Sequence, residues 1–156
     1  MSRASEAAYS RYIESVGSVD GTSDWFCIDQ ARINSFADAT LDFTGIHVDP
    51  QAAEIGPFGE TIAHGFLTLS LLPFLTQGFT ETPERNEGST GGVNYGFNKV
   101  RFVSPVRVNS RIRASVTLID VSLKGDQIEI TRDVTVEIDG LDRPALLAEW
   151  IVRTFY

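Results

Sequence analysis

The chain has 156 residues, 42% apolar and 22% charged, and its 13 basic against 21 acidic side chains leave a net charge of −8. That length suits one domain whose core removes on the order of 70% of the unfolded surface from water. The acidic balance argues against a nucleic-acid or anionic-membrane binder, whose footprint is basic, and the single cysteine, Cys27, excludes a disulfide framework or a multi-cysteine metal knuckle.

The N-terminal segment carries Glu6 and Glu14 and no long apolar run, so it does not read as a signal peptide. No stretch approaches the roughly 18 apolar residues of a membrane span. The expectation is a soluble cytoplasmic protein in a reducing compartment, built as one unit over 1–156 with residues 1–20 as a helical N-terminal extension. In that extension Tyr9, Tyr12, Ile13 and Val16 recur at the spacing of one helical face. A short strand is expected around Trp25–Ile28, after which Asp29 can cap a helix whose apolar stripe is Ile33, Phe36 and Ala37. Gly and Pro break up 39–59, leaving loop and one short helix begun by Asp49-Pro50.

From Ile62 to Leu75 the apolar residues fall all round the helical wheel, the pattern of a buried helix, and Pro73 should kink or end it. Residues 81–92 are polar and turn-rich. After them the chain is β: strands over 92–102 and 112–118, then a period-two strand with Ile128, Ile130, Val134, Val136 and Ile138 on one face, and a last strand over 145–156. Lys124-Gly125-Asp126 marks a turn. An antiparallel sheet wrapped round one buried helix, an α+β fold, is the economical architecture. Charge along the chain is uneven. Between Glu87 and Asp120 there is no acid, while Lys99, Arg101, Arg107, Arg111 and Arg113 fall there, so one cationic face is expected.

The only histidines, His47 and His64, flank the irregular segment before the helix. Asp42 precedes His47 by five residues, and in a loop a carboxylate and an imidazole can share one water for general acid–base work; they can equally be ordinary turn and cap residues. Gly65 at the helix start leaves an N–H able to meet a developing oxyanion, or simply permits close packing there. His64 is a substrate-side or a packing histidine on the same footing. No metal is expected, because Asp42, His47, Asp49 and His64 match no standard ligand spacing. No Walker loop, nucleophile elbow or dinucleotide fingerprint occurs. The GSTGG run at 88–92 reads as loop, and Cys27 as an inert core thiol.

LDFTGIHVDPQAA, then GPFGETIAHGFLTLSLLP, then VNYGFNKVRFVSPV together resemble the MaoC-like dehydratases, among them the (R)-specific enoyl-CoA hydratases and NodN-type proteins. The resemblance implies a hot-dog fold, an antiparallel sheet around a long central helix, assembled as a homodimer. It implies hydration of trans-2-enoyl-CoA to (R)-3-hydroxyacyl-CoA, with Asp42 and His47 holding the water and the Gly65 N–H meeting the thioester oxygen. The coenzyme A belongs to the substrate, and no separate cofactor is expected. Where many members have Gly before the aspartate and Asn-Pro after it, this chain has Leu41 and Thr44-Gly45. Thr44 and Gly45 are thereby placed beside the substrate, and Lys99 and Arg101 are the candidates for the coenzyme A phosphates. A hot-dog thioesterase, or a non-catalytic or partner-dependent acyl-binding subunit, are the alternative readings.

Overall fold

A computed structural model of the protein describes residues 3–156. The elements run α1 (Arg3–Ile13), β1 (Val19–Thr22), β2 (Phe26–Cys27), α2 (Gln30–Thr40), α3 (Gly45–Val48), α4 (Pro50–Glu54), α5 (Gly65–Ser70), α6 (Leu72–Thr80), β3 (Gly91–Phe102), β4 (Arg111–Lys124), β5 (Gln127–Ile138) and β6 (Leu146–Phe155). The strands form one antiparallel sheet in the order β1-β4-β5-β6-β3, with β2 also on β4. The alternation of apolar and polar residues turns Ile112, Ala114, Val116, Val134, Val136 and Leu146 inward, where they meet Leu67 of α5, Leu72 and Leu75 of α6, and Leu71 at the junction. This is the hot-dog arrangement, and several details depart from the expectation.

The central helix is broken in two at the proline that was expected to kink or end it. Pro73 lies in the first turn of α6, where its missing N–H and its ring would break a continuous helix at Leu69, so α5 ends at Ser70 and the chain re-enters helix at Leu72. Nor is this helix pair buried all round: Phe66 is 66% and Phe74 50% exposed.

The N-terminal extension is only partly helical. α1 ends at Ile13, and 19–22 form β1, an edge strand on β4 that the sequence pattern missed. The buried face of α1 is Ser5, Ala8 and Tyr12, whereas Ile13 and Val16 stay exposed. Ala8 and Tyr12 join Leu118, Val121, Ile128 and Ile130 in a second core at the turn end of the β4–β5 hairpin.

The basic run is not one face. β5 and β6 lie between β4 and β3, so Arg111 and Arg113 are far from Lys99 and Arg101. Arg107, Arg111 and Arg113 are ion-paired with Glu60, Asp139 and Glu137. Cys27 is exposed on β2 rather than in the core.

Candidate active site

α2 delivers the first functional residue. Asp29 caps its N-terminus through the Arg32 N–H at 2.8 Å, and its C-cap is Leu41 at φ 60°, ψ 23°. That left-handed turn is the conformation glycine favours, which explains why a glycine suits the position before the aspartate. It swings the chain so that Asp42 follows at once. The Thr44 hydroxyl donates to Asp42 Oδ1 at 2.6 Å, and the Thr44 N–H adds a second bond at 3.2 Å. These bonds, the hydroxyl foremost, hold the Asp42 carboxyl below the usual carboxylate range, with lesser help from His64 and His47.

α3, a single turn that sequence patterning did not foresee, carries His47 at its C-terminal end. Residues 61–63 run extended between α3 and the 106–108 segment: the Ile62 N–H donates to Ile46 O at 3.0 Å, and Ala63 and Val108 exchange backbone bonds with Val106 and Thr61. The Ile62 carbonyl thereby comes to lie 2.7 Å from His47 Nδ1. A carbonyl only accepts, so Nδ1 is the protonated nitrogen and Nε2 presents its lone pair. Gln30 fastens the same turn by donating to the His47 carbonyl at 2.8 Å, and Thr61 donates in turn to Gln30 Oε1 at 2.5 Å. Gln30 and Thr61 are supporting residues that no motif marked.

His64 is 2% exposed and stacks on His47, with ring centroids 3.9 Å apart. Its Nε2 donates to the Asp42 carbonyl at 3.0 Å and lies 3.9 Å from Oδ2. His64 is therefore the brace between the other two groups. Gly65 opens α5, so its N–H has no acceptor within the helix. A Cβ there would stand 2.8 Å from the Phe102 ring, so the close packing of α5 on β3 requires glycine at this position.

Asp42, His47, His64, Gly65, Phe66 and Phe102 border one cavity of about 360 Å³. Of the residues singled out in the sequence, Asp42, His47, His64 and Gly65 thus come together. Thr44 acts through Asp42 and does not border the cavity; Gly45 begins α3 behind it. Lys99 and Arg101 lie on the exposed edge strand β3, outside the cavity, with no acidic partner among the described residues. Asp42, His47 and His64 each bring one potential ligand atom within 4.8 Å of the others, although the sequence spacing matched no standard ligand set. Asp49 is not with them; it caps α4 by accepting from Gln51 and Ala52.

The model of a family described as "MaoC like domain" matches residues 13–139. The chain belongs to that family. Among its relatives, Nodulation protein N of Rhizobium meliloti is 52% identical over 138 residues, covering 87% of this chain and 84% of the relative. 3-Hydroxyacyl-thioester dehydratase Z of Mycobacterium tuberculosis is 49% identical over 134 residues, covering 85% and 86%. Among solved structures, the (R)-hydratase from A. caviae involved in PHA biosynthesis superposes with a TM-score of 0.70 at 25% identity, covering 88% of this chain and 94% of that one. A MaoC-like dehydratase from Rhodospirillum rubrum shares the fold at a TM-score of 0.73, 19% identity and coverage of 90% and 92%. No helix of this MaoC-like protein is long and apolar enough to cross a membrane among the described residues.

Proposed function

We propose that this MaoC-like protein is an (R)-specific enoyl-CoA hydratase, adding water to trans-2-enoyl thioesters and running the reverse dehydration. The single observation that carries the reading is the convergence of an ionised Asp42, the His47 Nε2 lone pair and the Gly65 N–H on one cavity. The relatives and the A. caviae structure support it by name.

One water sits between Asp42 and His47. Its oxygen bonds to Cβ as the Cα=Cβ bond opens, and one of its protons passes to His47 Nε2, while the Ile62 carbonyl holds the other side of the imidazolium. The electron pair moves toward the thioester oxygen, which the Gly65 N–H meets; a donor of that kind contributes about 3 kcal/mol to the transition state. His47 then returns a proton to Cα on the same face, so the addition is syn. Asp42 keeps its charge throughout and stabilises the imidazolium. No bound cofactor enters, since the coenzyme A is part of the substrate, and Lys99 and Arg101 are the cations available to its phosphates.

The partner is a second copy, joined along β3. That strand is an unpaired sheet edge with Val93, Tyr95, Phe97 and Phe102 exposed on it, and such an edge is a template for further pairing. A cytoplasmic location completes the reading.

The test is hydration of crotonyl-CoA, followed as loss of enoyl absorbance. Asp42→Asn and His47→Gln should each lower the rate at least about a hundredfold, the range of general acid–base catalysis. Release of free thiol would indicate a thioesterase instead, and unchanged rates in both variants would overturn the assignment.

A further inference from the structure

Arg132 interrupts the inward apolar file of β5, between Ile130 and Val134, and is 3% exposed. Its Nε donates to Asp20 Oδ2 at 2.8 Å. The same buried carboxylate meets Arg85 Nη1 at 2.7 Å, so one acid faces two guanidiniums. The guanidinium also meets the Tyr12 hydroxyl on the wall of the neighbouring cavity, but Arg132 Nη2 keeps no acceptor of good geometry. Nor has Trp150 Nε1 one, and Trp150 is the residue paired with Arg132 across β5 and β6. Buried donors in folded proteins are nearly always satisfied; two orphans side by side point to an acceptor that binds there.

Both residues border a cavity of about 300 Å³, with Thr80, Asn86 and Asn94 as further polar walls and the exposed Glu81 at the rim. Through Pro73, Asn94 and Trp150 this cavity adjoins a second one of about 290 Å³, whose other walls include Leu69, Leu72 and Phe97. One helical turn before Leu69 stands Phe66, on the wall of the active-site cavity with Phe102. Register irregularities in β3 between Asn94 and Gly96 and between Phe97 and Lys99 change the parity of the strand, so that Phe102, Phe97 and Asn94 border the three cavities in turn. The three cavities lie in order along a seam between the helices and β3: the active site first, then an apolar cavity that has no lining residue in common with it, and last the cavity of the orphan donors.

Its length follows from the sheet lattice. Phe102 pairs with Leu146 and Leu146 with Val136, whereas Phe97 pairs with Trp150 and Trp150 with Arg132. The two rows differ by four residues on β5, ~13 Å along the strand, and Arg132 lies two strands in from β3, ~10 Å across.

We infer that this seam takes the acyl chain and that its far end recognises a carboxylate, so that the substrate class is an extended acyl thioester carrying a carboxylate at its distal terminus. The inference rests on the hydratase reading. A carboxylate is acceptor-only and satisfies both orphan N–H groups. A terminal methyl would leave them unpaired and dry, and sites built to hydrogen-bond a group discriminate strongly against analogues that lack it.

The experiment compares trans-2-enoyl-CoA substrates of increasing length that end in methyl, hydroxyl or carboxylate. Beyond the length that spans the seam, the carboxylate-ended chain should exceed the methyl-ended one at least tenfold in kcat/KM. The difference should shrink to within twofold in Arg132→Gln and fall severalfold in Trp150→Phe, which leaves the Asp20–Arg132 pair intact should the first variant fold poorly. Equal preference for hydroxyl and carboxylate ends, or hydration with no preference at all, overturns the inference and leaves the hydratase reading standing. Calorimetry with the saturated acyl-CoA pair separates the two in the other direction: tighter binding of the carboxylate-ended chain without any hydration supports the seam and overturns the hydratase. Equal binding of the two chains overturns the inference.

Discussion

Leu41 holds a conformation that costs a side chain roughly 1–2 kcal/mol, and it is exposed, so no packing offsets the cost. Leu41→Gly should therefore raise stability by about 0.5–1 kcal/mol, after allowance for the looser unfolded chain, as measured by urea unfolding; a loss would show that the leucine side chain contributes where the structure shows no contact. Thr44 is the other departure from the common motif. Its hydroxyl holds Asp42 ionised, so Thr44→Val should move the Asp42 pKa upward toward the ordinary value, read from carboxyl carbon shifts in an NMR titration. The sign for stability follows. A carboxylate with a depressed folded pKa stabilises the protein above the unfolded value, and that contribution disappears as the pH falls through the lower folded value. In Thr44→Val that contribution should be smaller and its loss complete at a higher pH, because the folded value lies closer to the unfolded one. Asp42, His47 and Gly65 were legible through motifs that resemble those of the MaoC-like dehydratases, since spacing alone left the turn and packing readings open. Gln30 and Thr61 were not, because a residue that acts through a backbone carbonyl leaves no spacing signature.

At the scale of elements, the contact of α5 with β3 is the tightest constraint on the site. Gly65→Ala places a methyl inside van der Waals reach of the Phe102 ring, an overpacking that should cost about 1–3 kcal/mol and displace the amide that meets the substrate. Pairing it with Phe102→Ala should recover most of the loss in melting temperature, because the two residues are in contact and their effects are coupled. Additive losses would place the cost elsewhere. Pro73 announced the break between α5 and α6, since proline carries its own local rule. Phe66 and Phe74 read as buried and are exposed, because wheel symmetry cannot distinguish a surface covered by its own chain from one left open. Arg132 was passed over on β5, although a cation in the inward parity of an apolar strand was itself the signal.

For the whole molecule, the open question is what covers β3. Lysines blunt a sheet edge, so Val93→Lys combined with Tyr95→Lys should convert the proposed dimer to monomer in sedimentation velocity, while unfolding remains cooperative. A species of unchanged mass would place the second copy elsewhere. The net charge of −8 is a property of the whole chain, and the cationic stretch seen along the sequence is dispersed by topology. Three of its five members are neutralised by acids from other segments, and Lys99 and Arg101 remain on the edge strand.

Length, periodicity and punctuation alone pointed to a helical segment near residue 70 and four long strands, while the grouping of Asp42, His47 and Gly65 came from the resemblance of their motifs to the MaoC-like dehydratases. Those features depend on interactions a few residues apart, which sequence order preserves. Only the tertiary structure decided that His64 braces Asp42 against His47, that Leu41 turns left-handed, that the basic run is split and that Arg132 and Trp150 meet at the end of a seam. Each of these depends on which strands become neighbours, and strand order is set by the packing of the whole sheet around the helices.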